Sequence, residues 1–414
     1  MIASLLAFTM ASAAFRFHGL PSTHHHLMAF VSYYRTSSQS HSMIHYCPSK
    51  RYRFISKKSE NDVFHNNRYD RFRACLRLAV SNDSHSEFVN RATQQIYNTV
   101  VANKDDNVDP MYIAKCSMEI MSSNRRSFNR TWERMSPLIQ LILLPSKSPS
   151  NNKSMNSIAD VGCDHGMLAL SLACIALAHQ SYDESDRVLF SQVLGTDLSK
   201  QALENGGLVS LKKVNDALSR ISMVDNDLKM KLPIQFRVGN GLDCLQPNEA
   251  DGIVIAGMGV HTMLDTIILG TTEASTAAAI ERIDSDYLFL QPTNSRPQHL
   301  IMLYDGLQNQ LGWELKDERI AFVGGRWYIS SYFHQNDDTN SSSNSGYRFP
   351  GHYLLDDDIF DTYVKHHLKW LKQVSEKGPL VEEDTRWVQH ISSLVDKNEW
   401  KLLAEWYTGT ELME

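Results

Sequence analysis

From residue 157 onward, short apolar runs alternate with longer segments whose apolar residues recur at helical spacing. Each run is bounded by a turn or a polar residue, which is typical of a buried strand, and the segments between them predict crossover helices. Strands alternating with helices in this way favour a parallel sheet. The predicted strands begin at Ser157, Val188, Ile234, Asp251 and Tyr287.

The chain after these five strands breaks the alternation. Runs 313–323 and 326–333 are separated by Gly324-Gly325 and predict a β-hairpin. The fold class is therefore α/β, a Rossmann-like sheet that is mostly parallel with one antiparallel strand. A polar, low-complexity loop follows at 335–350, and a C-terminal helical region at 351–414 is expected to add a helical hairpin (356–375 and 385–394).

The N-terminal part of the chain predicts a helical extension at 86–150 ahead of the sheet domain at 151–334. Two helices are expected between 86 and 121, and a third around Met135 to Ile142. A polar stretch at 60–85 reads as a linker.

The first 59 residues predict a targeting segment. They hold seven Lys or Arg and no Asp or Glu, and the short apolar core Leu5 to Ala13 ends in an A-x-A-type site. This resembles the signal-plus-transit leader of algae whose plastids have extra membranes, so plastid localisation is expected. A mitochondrial presequence is the alternative, and secretion is a third, disfavoured by the cysteine usage.

Charge and cysteine usage narrow the function classes. The net charge is −6, and residues 352–414 alone carry thirteen acidic and seven basic side chains, so the remainder is near neutral and lacks a global basic field. The six cysteines form no C-x-x-C pair, which predicts no structural zinc or other metal site. No apolar run reaches the roughly 20 residues of a membrane span.

The turn after the first predicted strand has the composition of a ligand-binding loop. Gly162 and Gly166 allow the backbone to turn sharply and approach a ligand, although such glycines also serve packing alone. Asp160 precedes the turn. Asp197 ends the second strand, where a carboxylate can accept hydrogen bonds from ribose hydroxyls.

A second candidate site is an arginine-rich stretch before the sheet. Interleaved arginine and aromatic residues can hold phosphates and stack on bases, which predicts an RNA contact. The alternative is a solvated helix face whose aromatic residues pack inward. The stretch contains Arg125, Arg126, Phe128, Arg130, Trp132 and Arg134.

Four motifs in this order resemble the bacterial-type tRNA (adenine-22-N1)-methyltransferase family. They are RMSPL at 134–138, ADVGCDHG at 159–166, GNGL at 239–242 and IAGMG at 255–259. LFLQP at 288–292 adds to the resemblance, which covers about 131–375. It implies a class I methyltransferase fold, S-adenosyl-L-methionine as cofactor, and methylation of N1 of an adenine in the D-arm of a tRNA.

The resemblance also implies roles for individual residues. Asn240 would bind the cofactor adenine. The absence of an Asp/Asn-Pro-Pro-aromatic motif at 256–258 favours attack by a ring nitrogen over an exocyclic amine. The implied cofactor-binding residues are Asp160, Gly162, Gly166, Asp197, Asn240, Gly241, Leu242, Ala256, Gly257 and Met258.

Asp164 and His165 are the expected catalytic residues. Asp164 would stabilise the positive charge that methylation leaves on the base, or accept a proton from it. Its alternatives are a cap for the following helix and a ligand for the methionine amino group. His165 would contact the base or a phosphate, or be a turn residue satisfied by its neighbours.

Three other functions stay open at this point. The same enzyme class could act on ribosomal RNA or a small molecule. The chain could be a non-catalytic module that binds S-adenosylmethionine or RNA. A nicotinamide enzyme is disfavoured because the turn lacks G-x-G-x-x-G, with Asp164 in place of the middle glycine.

Overall fold

The computed structural model describes residues 91–92, 109–145, 155–180, 190–222, 231–269, 279–335 and 347–396. The predicted targeting segment, the linker and most of the low-complexity loop lie outside these ranges. The strands are β1 Ser157–Val161, β2 Gln192–Asp197, β3 Ile234–Val238, β4 Gly252–Ala256, β5 Tyr287–Gln291, β6 Trp313–Val323 and β7 Arg326–Gln335.

The helices alternate with these strands as predicted. They are α1 Pro110–Met121, α2 Arg125–Ile142, α3 Met167–Gln180, α4 Leu208–Ser222, α5 Val260–Leu264, α6 Ala279–Ile283, α7 Pro297–Tyr304, α8 Asp358–Ser375 and α9 Glu382–Asp396. A helical turn (Lys200–Ala202) and a π-helical turn (Leu203–Gly207) precede α4. Two further π-helical segments extend α5 and α7. None of the helices in the described ranges is both long and apolar enough to cross a membrane.

The seven strands form one sheet in the order β3-β2-β1-β4-β5-β7-β6. Strands β1 to β5 are parallel, and β7 is antiparallel to both of its neighbours, β5 and β6. The predicted sheet, mostly parallel with one antiparallel strand, is confirmed. The strand order reverses between β1 and β4, and the carboxyl ends of the strands at such a point border a crevice where ligands bind in open α/β sheets.

The arginine-rich stretch and the helix expected after it form a single helix, α2. The side chain of Asn124 accepts a hydrogen bond from the Ser127 amide at 2.9 Å, which caps the N-terminus, and the helix continues through Pro137. Phe128 is 4 % exposed and belongs to the core. Phe128 is therefore a packing residue, which agrees with the alternative that the aromatic residues of this stretch pack inward.

The N-terminal helices pack directly on the sheet domain. Helix α1 contacts α3 and α4, while α2 crosses β5, β6 and β7. Ile113, Met118 and Leu138 are fully buried in the same cluster as Ile158 and Leu170. One continuous core thus joins the N-terminal helices to the sheet.

The C-terminal region forms the predicted helical hairpin. Helix α9 packs on α7, and its fully buried Trp387 lies against Tyr363 of α8, with the ring centroids 6.3 Å apart. The Tyr363 hydroxyl of α8 donates a hydrogen bond to the Ser295 carbonyl at 2.6 Å. Both helices are therefore anchored to the elements that follow β5.

A buried carboxylate in β6 holds the segment that leads into α8. Glu318 is fully buried and accepts hydrogen bonds from the Tyr304 hydroxyl at 2.6 Å and from the amides of Gly351 (2.9 and 3.0 Å) and Tyr353 (3.1 Å). Burial raises the pKa of Glu318 to about 7, although these hydrogen bonds favour the charged form.

Candidate functional site

The loop between β1 and α3 is wound tightly against the end of β2. Gly162, Asp164 and Gly166 all have positive φ, at 74°, 47° and 67°. The amides of Gly162 and Cys163 both donate to the Thr196 carbonyl, at 2.8 and 2.9 Å. Because aspartate is one of the few side chains that adopt the left-handed region readily, the loop keeps this shape without a third glycine.

Asp197 joins the end of β2 to this loop. Its carboxylate accepts hydrogen bonds from the Asp164 amide at 2.9 Å and the Ser199 amide at 2.8 Å, one on each oxygen. Each carboxylate oxygen has a second lone pair, so the half-buried group can still accept hydroxyl donors. Leu198 follows with 69 % of its surface exposed, and the sequence analysis did not single it out.

Asp160 lies beneath the loop at the end of β1. It is 3 % exposed, and its carboxylate accepts a hydrogen bond from the Ala169 amide in the first turn of α3 at 3.2 Å. Burial raises its pKa to about 7, the Ala169 amide opposes the rise, Asp197 adds to it, and the charge of Arg134 opposes it. Asp160 therefore stabilises the N-terminus of α3 by accepting one of its free backbone amides.

Asp164 and His165 are exposed side chains of the loop ahead of α3. The His165 Nδ1 lies 2.8 Å from the Asp164 carboxylate, and the two side chains are 68 % and 66 % exposed. In the part of the chain described, the Asp164 carboxylate receives no amide from α3, so its helix-capping alternative is not seen and Asp160 has that role. Both catalytic candidates are accessible at the mouth of the crevice.

The end of β4 meets the loop through Met258. A Cβ added to Gly162 would lie 2.0 Å from the Met258 Cε, so the methionine methyl occupies the space that a side chain there would need. The Met258 carbonyl accepts the Thr293 amide at 2.9 Å, and Gly257 has φ of 79°. Ala256 ends β4 half-buried. These contacts link the ends of β1, β4 and β5.

The predicted adenine-binding residues follow β3. Asn240 is exposed at the start of a short 3-10 turn (Gly241–Cys244), and its side chain makes no capping hydrogen bond there. Leu242 is 1 % exposed, and Gly241 has φ of 55° and packs on Thr266. The asparagine amide is thus available at the rim of the crevice.

The four arginines of α2 do not form one uniform surface. Arg126 and Arg130 are exposed and line a surface depression with Ser127 and Thr131. Arg125 lies near Glu119 instead. Burial raises the pKa of Glu119, and the charges of nearby cations, Arg125 among them, oppose that rise. Arg134 lies one turn further on, partly buried beside the crevice. The structure thus separates Arg134 from the exposed pair.

Two aromatic and cationic pairs at the same sheet edge were missed by sequence reasoning. The rings of His261 and His299 lie 6.0 Å apart, and Arg296 stacks over Trp370 at 5.1 Å. His261 comes in the first turn of α5, and Arg296 caps α7, so both follow strand ends of the crevice. Their positions shortly after β4 and β5 are the sequence feature by which His261 and Arg296 could have been identified.

The described side chains contain no group of three or more His, Cys, Asp or Glu that is arranged to hold a metal ion. The polar groups at this edge are instead hydrogen-bonding carboxylates, an amide and backbone N–H groups. Such groups suit an organic ligand with hydroxyl and amine donors.

The sequence over the second half of the sheet matches a known domain family. Residues 209–329 match the methyltransferase domain. The matched stretch runs from α4 into β7. A search of the curated proteins found no match to the chain.

Solved structures with similar folds include three bacterial proteins. The M1A22 tRNA methyltransferase TrmK of B. subtilis is 17 % identical, with 62 % of this chain and 93 % of that chain covered and a TM-score of 0.37. TrmK of M. capricolum, in complex with S-adenosyl-homocysteine, is 14 % identical, with 63 % and 96 % covered and a TM-score of 0.38. Sp1610 of Streptococcus pneumoniae, in complex with S-adenosyl-L-methionine, is 19 % identical, with 62 % and 97 % covered and a TM-score of 0.38.

Proposed function

We propose that this protein is an S-adenosylmethionine-dependent tRNA methyltransferase that methylates N1 of an adenine in the D-arm. One observation carries the proposal. The glycine-bearing loop Gly162–Gly166, the Asp197 carboxylate and the Gly257–Met258 strand end meet at the reversal point of a sheet whose strands β3 to β6 lie in the stretch that matches the methyltransferase domain. The sequence motifs that resemble the tRNA (adenine-22-N1)-methyltransferases give the proposal its substrate.

The residues at this edge fit the cofactor. The Asp197 carboxylate keeps acceptor capacity for the two ribose hydroxyls, and the Asn240 amide is free to bond a purine ring. Leu198, exposed beside Asp197, offers apolar surface to a flat base. Because Gly162 and Gly166 carry no side chains, the backbone of this loop can approach the cofactor closely.

S-adenosylmethionine, when bound, supplies an electrophilic methyl group on a sulfonium. Adenine N1 already carries an in-plane lone pair, so the protein needs chiefly to align the base and exclude competing orientations. Methylation leaves a positive charge on the base. The exposed carboxylate of Asp164, held in place by its backbone amide on Asp197, stabilises that charge or accepts the exocyclic-amine proton. His165 orients this carboxylate through its 2.8 Å contact.

The RNA would approach across α2. The exposed guanidinium groups of Arg126 and Arg130 stand one helical turn apart on one face of α2, which leads toward the crevice. An adenine inside folded tRNA is stacked, so it has to be turned out before its N1 can reach the site. Recognition would rest on RNA shape and on unpaired bases.

The decisive test is methyl transfer by the purified chain to total organellar tRNA, with the product located by reverse-transcription stops. A new stop in the D-arm, absent from tRNA of cells lacking the protein, is expected. Transfer to ribosomal RNA or a small molecule would replace the tRNA proposal, and cofactor binding without any transfer would indicate a non-catalytic module.

We also propose that residues 1–59 direct the chain to a plastid. These residues include no Asp or Glu and seven Lys or Arg, a composition that supports an organellar leader. The mitochondrion is the alternative destination. A fusion of these residues to a fluorescent protein, imaged against plastid and mitochondrial markers, tests the proposal. Cytosolic fluorescence would contradict it.

A further inference from the structure

Arg134 differs from the other arginines of α2 in what surrounds it. A Cβ on Gly257 would lie 4.0 Å from the Arg134 Nη1, and the guanidinium stands over the Tyr328 ring at 5.8 Å. Its charge also reaches the buried carboxyl of Asp160 and opposes the rise in that pKa caused chiefly by burial. The guanidinium is therefore surrounded by the ends of β1, β4 and β7.

The backbone of Arg134 is fixed in this position. The buried side chain of Gln291 donates hydrogen bonds to the Arg134 carbonyl and to the Ser330 hydroxyl, both at 2.8 Å. One amide thus ties α2 to the end of β5 and to β7. Together with the Tyr328 ring, this tie limits the positions that the guanidinium can reach.

No acidic partner accompanies this cation. Across the described ranges, no carboxylate lies within ion-pair distance of the Arg134 guanidinium, and no hydrogen bond from it is present. A partly buried charge without a partner is unfavourable, and a guanidinium presents two parallel N–H groups that match a carboxylate. The position is consequently built for an anion that is supplied from outside the protein.

Two anions could reach this point, a carboxylate of the cofactor and a phosphate of the RNA. The α-amino-acid end of S-adenosylmethionine carries one carboxylate and one ammonium group. Arg134 provides the positive partner, and the exposed carboxylate of Asp164 on the neighbouring loop provides negative charge. The partial burial of Arg134, compared with the exposure of Arg126 and Arg130, favours the small ligand over the RNA backbone.

We propose that Arg134 binds the α-carboxylate of the methyl donor and is a cofactor-binding residue, not an RNA-binding one. The inference rests on the proposed function, because it takes S-adenosylmethionine as the ligand. It assigns the last arginine of α2 a ligand different from that of Arg126 and Arg130.

The test compares two ligands by calorimetry on the full chain. S-adenosylhomocysteine has the carboxylate, whereas 5′-methylthioadenosine keeps the adenosine and the sulfur but lacks the whole amino-acid end. For Arg134→Gln we expect about a 10- to 100-fold loss of affinity for S-adenosylhomocysteine and an unchanged affinity for 5′-methylthioadenosine. Unchanged binding of the second ligand also shows that the variant is folded.

Arg130→Gln is the matched control, with the same substitution about one helical turn nearer the N-terminus of α2. It should leave the affinity for both small ligands unchanged and weaken RNA binding. Equal loss for both ligands in Arg134→Gln, or a loss of RNA affinity alone, would overturn the inference. If the unaltered protein binds neither ligand, the proposed function itself fails, which is a different result from failure of the Arg134 assignment.

Discussion

The side chain of Met258 at the end of β4 lies directly over the α-carbon of Gly162 at the end of β1. A Cβ at Gly162 would come within 2.0 Å of the Met258 Cε, and the backbone there has φ of 74°. For Gly162→Ala we expect a loss of about 1 to 2 kcal/mol in the free energy of unfolding from the backbone conformation alone. Binding of S-adenosylhomocysteine, measured by calorimetry, should be abolished because the loop or Met258 has to move.

Gly259→Ala is the matched control for this substitution. Gly259 has φ of −71°, and no atom lies within 4 Å of a Cβ built there, so stability and cofactor binding should be unchanged. Adding Met258→Ala to Gly162→Ala should restore part of the binding, since it removes the steric conflict but not the backbone strain. Normal binding by Gly162→Ala alone would show that Met258 is not a wall of the site.

The second prediction concerns the charge of Asp164. Asparagine also tolerates the left-handed backbone at this position, so Asp164→Asn should keep the loop and its amide bond to Asp197. We expect methyl transfer to fall at least about 100-fold while the affinity for S-adenosylhomocysteine stays within a few-fold of the original. Asp164→Ala should abolish transfer as well, with added strain.

Single-turnover transfer of a radiolabelled methyl group to tRNA, run beside calorimetry, provides both measurements. Retention of full transfer activity in Asp164→Asn would remove the carboxylate from the mechanism. A parallel loss of cofactor affinity would instead assign Asp164 to the methionine amino group, its alternative ligand.

The third prediction tests the RNA surface of α2. If Arg126 and Arg130 each neutralise one phosphate, Arg126→Ala and Arg130→Ala should weaken tRNA binding and lower the slope of log affinity against log salt by about 0.7 to 0.9 each. Filter binding over a salt series measures the slope. Lys377→Ala, an exposed lysine just beyond α8, is the control. An unchanged salt slope in both arginine variants would contradict the assignment of Arg126 and Arg130 as phosphate-binding residues.

The fourth prediction follows from the buried carboxylate of Glu318. Its pKa is raised from the ordinary 4.5 to about 7, so its contribution to stability is complete below about pH 4.5 and is lost as the pH rises through about 7. This change corresponds to about 3 kcal/mol of unfolding free energy. Glu318→Gln cannot titrate at this position. The difference in unfolding free energy between the original chain and the variant should therefore decrease by up to that amount as the pH rises from about 4.5 through about 7.

Urea unfolding at several pH values between about 5 and about 8 measures this difference. Asp160, whose pKa is also raised, changes both proteins alike and cancels in the comparison. A stability difference that does not vary with pH would mean that Glu318 stays in one protonation state throughout.

The parts of the site that follow strand ends could be predicted from the sequence. Asp197 and the loop glycines are recognisable because parallel strands finish at one edge, whatever the packing. The Met258 contact with Gly162 could not be predicted, since it depends on β1 and β4 being neighbours, which only the strand order decides. The same holds for Arg134, which shares a helical stripe with Arg126 and Arg130.

Two differences between the sequence interpretation and the structure have local causes. The sequence interpretation divided α2 because its charged first half interrupts the apolar periodicity that marks the second half. A helix cap was one alternative for Asp164 because that residue is nearer to α3 in sequence than Asp160. The positive φ of Asp164 turns its side chain outward, whereas Asp160, at the strand end, reaches the Ala169 amide.

The bond from Gln291 to the Arg134 carbonyl bears on how small a working fragment can be. A fragment starting at 151 would contain the whole sheet, yet it would expose the surface of α3 that α1 covers and leave Gln291 without one of its acceptors. The shortest piece expected to fold therefore begins ahead of Pro110. In such a protein the sheet that carries the candidate site and helix α2 would fold as one unit.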